Sequence, residues 1–193
     1  MQLPLPRHLA PGAIYLLPLR LSGAQPLIRQ VSGYLSAEEM ARAERFIHRE
    51  DRDRHILGRG VTRLVIARAM GCAPGEVCFD LGPQGKPRVC GGPSFNISHS
   101  GDVVALAFAA SGRLGVDVEY RKRLRDLLSL ARATFRSDEY AELVALPEEA
   151  RHEAFFRIWT RKEAMLKALG CGLSELDAIA VSGLDEEEAL REI

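Results

Sequence analysis

Two stretches of this 193-residue chain close in the same way, and they constrain its fold more than any other feature. "ARAMGCAPGEV" begins at Ala67 and "LKALGCGLSEL" at Leu166; in each, a long helical pattern stops at Gly-Cys and an apolar, strand-like stretch follows. The matching alanines, Ala69 and Ala168, stand 99 residues apart (168 − 69), about half the chain. Shared letters are few, so coincidence competes with duplication. Read as duplication, the pattern predicts two lobes of similar α/β build that meet near Ser111-Gly112.

The stretches between fit that plan. Ala13 to Leu19 reads as a strand. Ser36 followed by Glu39 makes a capping box and predicts a helix through "SAEEMARAERF". Leu57, Val61, Leu64 and Arg68 mark a second helix ending near Gly71. "EVCFDLGPQGKPRV" reads as strand, Gly/Pro turn and strand, "SFNISHSGD" as a polar loop, and Val103 to Ala110 as a buried strand. "SLARATFRSDEYAELVAL" has helical character with Ser137 as N-cap. "EEARHEAFFRIWTRKEAMLKALGCG" is the strongest helix, "LDAIAVSGL" a candidate strand, and the acidic tail an exposed segment.

Composition narrows the function class. With 26 basic and 26 acidic residues, no global field favours nucleic acid or membrane. The four cysteines form no CxxC pair, which suits a reducing compartment and argues against structural zinc. The apolar start is broken by Pro4, Pro6, Pro11 and Pro18, unlike a signal peptide or a spanning helix. A cytoplasmic protein without membrane or nucleic-acid partners is expected.

Four constellations can carry chemistry. "GRLGVDVEY" reads as a strand with Asp117 and Glu119 on one face, about 6.5 Å apart by strand rise. Two bare charges there cost on the order of 2.5 kcal/mol, and solvated acids at a strand edge compete with a bound hard cation, Mg²⁺ or Mn²⁺. In "FFRIWTRKEAMLKALG", Trp159, Glu163 and Lys167 share one helix face. Glu163 between Lys162 and Lys167 is either a surface ion pair or a third carboxylate beside phosphate-facing lysines. The run holding Arg45, Arg49, Arg52, Arg54, Arg59 and Arg63 is a solvated face or a phosphate grip. The Gly85-Lys86-Pro87 turn and the Ser98-His99-Ser100 loop are each weak alone. No Walker or GxGxxG loop is present.

In order, "GKP", "FNISHSG", "GVDVE" and "WTRKEAMLKALG" resemble the 4′-phosphopantetheinyl transferases of the two-lobed, surfactin-synthetase-activating type, over about Phe46 to Leu176. The resemblance implies an α+β fold of two pseudo-symmetric α/β lobes with the site in the cleft between them. Residues 1–110 would form the coenzyme A-binding lobe, and 113–193 a shortened lobe carrying most of the metal site. It implies transfer of the phosphopantetheine arm of coenzyme A to an acyl or peptidyl carrier protein, with Asp117, Glu119 and Glu163 on Mg²⁺ or Mn²⁺. Glu163 and Lys167 would be catalytic. Arg49, Arg54, Gly85, Lys86, Pro87, Ser98, His99, Lys162 and Lys167 would contact coenzyme A, and a monomer would suffice. Because few residues follow "GLS", a non-catalytic homologue that binds coenzyme A or a carrier is the alternative. Another magnesium-dependent nucleotide-phosphate enzyme ranks below it, and DNA binding last.

Overall fold

The apolar run from Val103 to Ala109 becomes the central strand of a three-stranded sheet. The computed structural model describes residues 5–6, 8–82, 85–172 and 175–181. In chain order its first half holds β1 (Ile14–Arg20), α1 (Gln25–Ser32), α2 (Ala37–Glu44), α3 (Arg49–Met70), a 3-10 turn at Pro74–Glu76, β2 (Asp80–Leu81), β3 (Pro87–Arg88), β4 (Ser94–Ser100) and β5 (Val103–Ala109). The sheet order is β1-β5-β4, both pairings antiparallel, and β2 with β3 makes a separate short hairpin.

Alternation along β5 gives the sheet two unlike faces. Val104, Leu106 and Phe108 join Phe95, Ile56, Leu57, Val61 and Val65 in the main core, beneath α3. Fully buried side chains of this size contribute about 1.5–3 kcal/mol each. The other face offers Ala107 and Ala109, small enough for Leu114 and Val116 to lie directly on it.

β4 is the segment that reads as a polar loop in the sequence. Its polar residues at every second position face this second layer rather than water, so the alternation of a strand is present but carries no apolar face there. α1 also lacks a sequence forecast; it is short, has Pro26 in its first turn, and buries Leu27, Ile28 and Val31. α2 carries the forecast box: Ser36 Oγ accepts the Glu39 N–H, and Glu39 accepts the Ser36 N–H at 2.9 Å.

The second half holds α4 (Leu127–Thr134), α5 (Ser137–Ala145) and α6 (Glu148–Leu169). The 99-residue echo is structural at the level of its helices. α3 and α6 are both 22 residues long, and their starts (148 − 49) and ends (169 − 70) keep the same offset. Each stops at a left-handed glycine, Gly71 or Gly170. The next two N–H groups close on one carbonyl, that of Ala67 or Leu166.

Three expectations change here. The helical run before α6 splits at Phe135-Arg136, so the capping position is Arg136 and not Ser137. "GRLGVDVEY" is extended but pairs with no strand through its backbone. The part of "LDAIAVSGL" among the described residues, to Val181, is turn and irregular chain, held by side chains described below; the rest lies outside them. A second cluster of Phe135, Leu143, Phe155, Phe156 and Ile158 packs α4–α6, with Phe155 stacked between Phe135 (5.1 Å) and Trp159 (5.8 Å). No helix of the described residues is long and apolar enough to cross a membrane.

Candidate active site

Residues 113–120 run alongside β4, and side chains replace the missing backbone ladder. Asn96 Oδ1 accepts the Val116 N–H at 2.8 Å, Ser98 Oγ the Val118 N–H at 3.3 Å, and Ser100 Oγ the Tyr120 N–H at 3.0 Å. Both segments advance two residues per step, so the acids fall into register with the hydroxyls. Ser98 donates to Asp117 Oδ1 at 2.8 Å and Ser100 to Glu119 Oε2 at 2.8 Å. Each carboxylate has its own hydroxyl, which answers part of the like-charge problem.

A cation answers more of it. Lys167 Nζ reaches Asp117 Oδ1 at 2.5 Å and Ser98 Oγ at 3.1 Å from the last turn of α6. That approach is possible because Gly115 lies flat on α6: a Cβ there would stand 1.9 Å from the Ala164 carbonyl oxygen. Asp117 Oδ2, by contrast, is buried with no hydrogen-bond partner among the described residues, and a buried carboxylate oxygen left bare is costly.

Glu163, one turn before Lys167 on α6, shares this environment. Burial raises its pKa, the Lys167 charge opposes that rise, and the charges of Asp117 and Glu119 add to it. Glu163 therefore feels both of the other carboxylates. The three do not stand as a closed ligand set: among the described residues, no group of three or more His, Cys, Asp or Glu is gathered to hold a metal ion. The donor chemistry nevertheless fits a hard cation, with three oxygen acids, one uncompensated buried oxygen and a single lysine opposite them.

His99 and Arg54 border the same region. Desolvation lowers the His99 pKa, with the Arg54 cation and then Lys167 adding to the shift while Asp51 opposes it. Arg54 is held by Asp51 Oδ1 at 2.6 Å and the Gly101 carbonyl at 2.9 Å. On the other side, Gly85, Lys86 and Pro87 of the β2–β3 hairpin share with Asn96, Ile97 and Lys167 a cleft of about 290 Å³. Lys86 itself donates to the Leu114 carbonyl at 2.7 Å and to the Lys167 carbonyl.

One residue expected to touch coenzyme A is closed to it. Lys162 is fully buried, paired with buried Glu139 at 2.6 Å and bonded to the Ile179 carbonyl, so no phosphate can reach it. Arg49 is exposed and turned toward Gln25 Oε1 (3.3 Å) and Asp53 (3.6 Å) at the start of α3. Spacing put Lys162 with the phosphate-facing cations, and its partner Glu139 on another helix was invisible to it.

The sequence matches the 4′-phosphopantetheinyl transferase superfamily over residues 113–192 and the 4′-phosphopantetheinyl transferase N-terminal family over residues 24–111. It is 36% identical over 181 residues to the 4′-phosphopantetheinyl transferase HetI of Nostoc sp., covering 91% of this chain and 76% of the relative. The chain belongs to the 4′-phosphopantetheinyl transferase superfamily. The psf-1 transferase of Bacillus pumilus is 37% identical (84% and 69% covered), and Sfp of Bacillus subtilis 35% (77% and 66% covered). The chain thus spans 66% to 76% of the length of these three relatives. Asn96 and Ser100 hold the acidic segment in place, and neither is among the site residues expected from the sequence; the period of two through Asn96, Ser98 and Ser100, matched to Asp117 and Glu119, is the signal that could have found them.

Proposed function

We propose that this chain transfers the 4′-phosphopantetheine arm of coenzyme A to a serine hydroxyl of an acyl or peptidyl carrier protein, releasing 3′,5′-ADP. The observation that carries the proposal is the Asp117 carboxylate, with one oxygen on Lys167 and Ser98 and the other buried without a partner, in the field of Glu119 and Glu163.

In this reading Asp117, Glu119 and Glu163 hold Mg²⁺, or Mn²⁺ in its place. When bound, such an ion would offset negative charge on the pyrophosphate oxygens and so make the β-phosphorus more electrophilic. The chain's own groups do the rest. Glu163 takes the proton of the carrier serine, directly or through one water; a bound cation would lower its basicity, which favours the water. The serine oxygen forms the new bond to the β-phosphorus, and the bond from that phosphorus to the bridging oxygen breaks. The electron pair leaves on 3′,5′-ADP, and in this reading the Lys167 cation offsets that charge. His99 and Arg54 add positive or hydrogen-bonding groups beside Lys167, while Gly85, Lys86 and Pro87 wall the neighbouring cleft. Residues 1–110 serve as the coenzyme A lobe and 113–193 as the metal-bearing lobe. The enzyme acts as a monomer in the cytoplasm.

Intact-protein mass spectrometry of an apo carrier incubated with the chain, coenzyme A and Mg²⁺ tests this. A phosphopantetheine mass gain that EDTA abolishes is expected. Coenzyme A binding with no gain on acyl and peptidyl carriers alike would overturn the transfer reading in favour of a binding protein, and a gain that survives EDTA would overturn the metal.

A further inference from the structure

The Lys86 ammonium joins two main-chain carbonyls from distant parts of the chain, those of Leu114 and Lys167. Its own backbone is fixed first. The Gly82 N–H bonds the Lys86 carbonyl at 2.8 Å, and the Gly85 N–H bonds the Gly82 carbonyl at 2.9 Å, so the hairpin presents the side chain from a set position. Burial lowers the lysine pKa, as for a cation drawn partly out of water.

Both carbonyls lie where a donor is wanted. The last carbonyls of a helix have no partner within it, and that end of the helix favours positive charge. In α6 the Leu166 carbonyl takes the N–H groups of Gly170 and Cys171, whereas the Lys167 carbonyl takes Lys86. Leu114 is buried at the root of the acidic segment, immediately before the glycine that lies flat on α6. One ammonium therefore pins the end of α6 to the segment that carries Asp117 and Glu119. The Lys167 side chain leaves from that pinned turn to reach Asp117 and Ser98.

We propose that Lys86 is a positioning residue: its ammonium clasps the α6 terminus to residues 114–119 and so sets Lys167 against Asp117, instead of contacting a coenzyme A phosphate. The inference rests on the transferase reading above and deepens it. A phosphate contact and a clasp predict opposite kinetics. Loss of a ground-state phosphate contact raises KM for coenzyme A at constant kcat, whereas a misplaced Lys167 lowers kcat.

The test is a kinetic and exchange comparison of Lys86→Met. With a carrier as acceptor, kcat should fall about tenfold while KM for coenzyme A stays within about twofold, and Lys86→Arg, which keeps donors on a long stem, should recover most of the loss. Combined with Lys167→Met, the Lys86→Met change should cost less than about threefold further, because the clasp acts through Lys167. A raised KM with unchanged kcat, or losses that multiply in the double variant, would overturn the proposal. Hydrogen exchange of the free proteins reads the clasp without any activity: amides of residues 115–119 and 164–170 should exchange about tenfold faster in Lys86→Met. Unchanged exchange sinks the clasp. Faster exchange in a chain that loads no carrier keeps the clasp and rejects only the transferase reading. Lys86→Gln, a shorter neutral donor, supports the same readouts if the methionine variant does not fold.

Discussion

Lys162 and Lys167 lie five residues apart on one helix (167 − 162), and each faces a buried carboxylate, yet the two pairs are finished differently. Around Lys162 every oxygen is used. Glu139 Oε2 takes the lysine and the Arg136 N–H, Oε1 takes the Val181 N–H, and the lysine also bonds the Ile179 carbonyl. That pair closes the chain from 179 to 181 onto α5 and α6 and leaves nothing over for a ligand. Around Lys167 the lysine side chain is 29% exposed, Asp117 keeps a bare buried oxygen, and two more acids share the field. Buried charge that is completely paired holds a fold together; buried charge left incomplete beside a cleft is set up to receive something.

The largest effect should come from breaking the closed pair. Lys162→Met strands Glu139 in the interior and should cost about 3–5 kcal/mol of stability in urea unfolding. Adding Glu139→Gln should restore part of that loss, because the stranded charge is gone, although the amide keeps one accepting oxygen for the Arg136 and Val181 N–H groups. The open pair should behave the other way. Glu163→Gln should lower kcat about 100-fold, near 2.7 kcal/mol of barrier, with stability unchanged or slightly raised since a charge opposed by Asp117 and Glu119 is gone. Equal stability losses at Lys162 and Glu163 would erase the distinction.

Smaller effects sharpen it. Ser100→Ala removes the hydroxyl that receives the Tyr120 N–H and holds Glu119, and should cost about 1 kcal/mol in thermal or urea unfolding, with a several-fold fall in activity. The smallest effect lies outside the site, at His55. Its pKa sits below the ordinary 6.5 because of burial first and then the Arg59 and Arg42 charges, with Glu39 opposing. The unfolded chain therefore binds more protons, so this contribution is complete above about pH 6.5 and is lost as pH falls through the folded value. The unfolding midpoint should drop as pH falls below about 6.5, and His55→Asn should flatten that slope.

What the sequence made legible was local. The Ser36–Glu39 box, the two 22-residue helices and their Gly-Cys ends follow from neighbours within four or five positions, and they are where the spacing puts them. The spacing also brings Glu163 and Lys167 to one face of α6, and Asp117 and Glu119 to one side of an extended segment. What it hid depends on partners far along the chain. β4 reads as a loop because its serines and Asn96 face another segment 20 residues on, not water. Residues 113–120 read as a strand, but the N–H groups of Val116, Val118 and Tyr120 go to side chains, so no ladder forms. Lys162 reads as a phosphate contact because Glu139 lies 23 residues away (162 − 139) on a different helix.

The central claim is that the incompletely paired Asp117 is there for chemistry and not for folding. The direct measurement is the mass of an apo carrier protein incubated with coenzyme A and Mg²⁺ and either the natural chain or Asp117→Asn, with the unfolding midpoint of both proteins taken alongside. The account predicts full conversion to the phosphopantetheinylated carrier by the natural chain and none by a variant that unfolds at nearly the same temperature. Full conversion by Asp117→Asn, or loss of conversion only because the variant has unfolded, would contradict it.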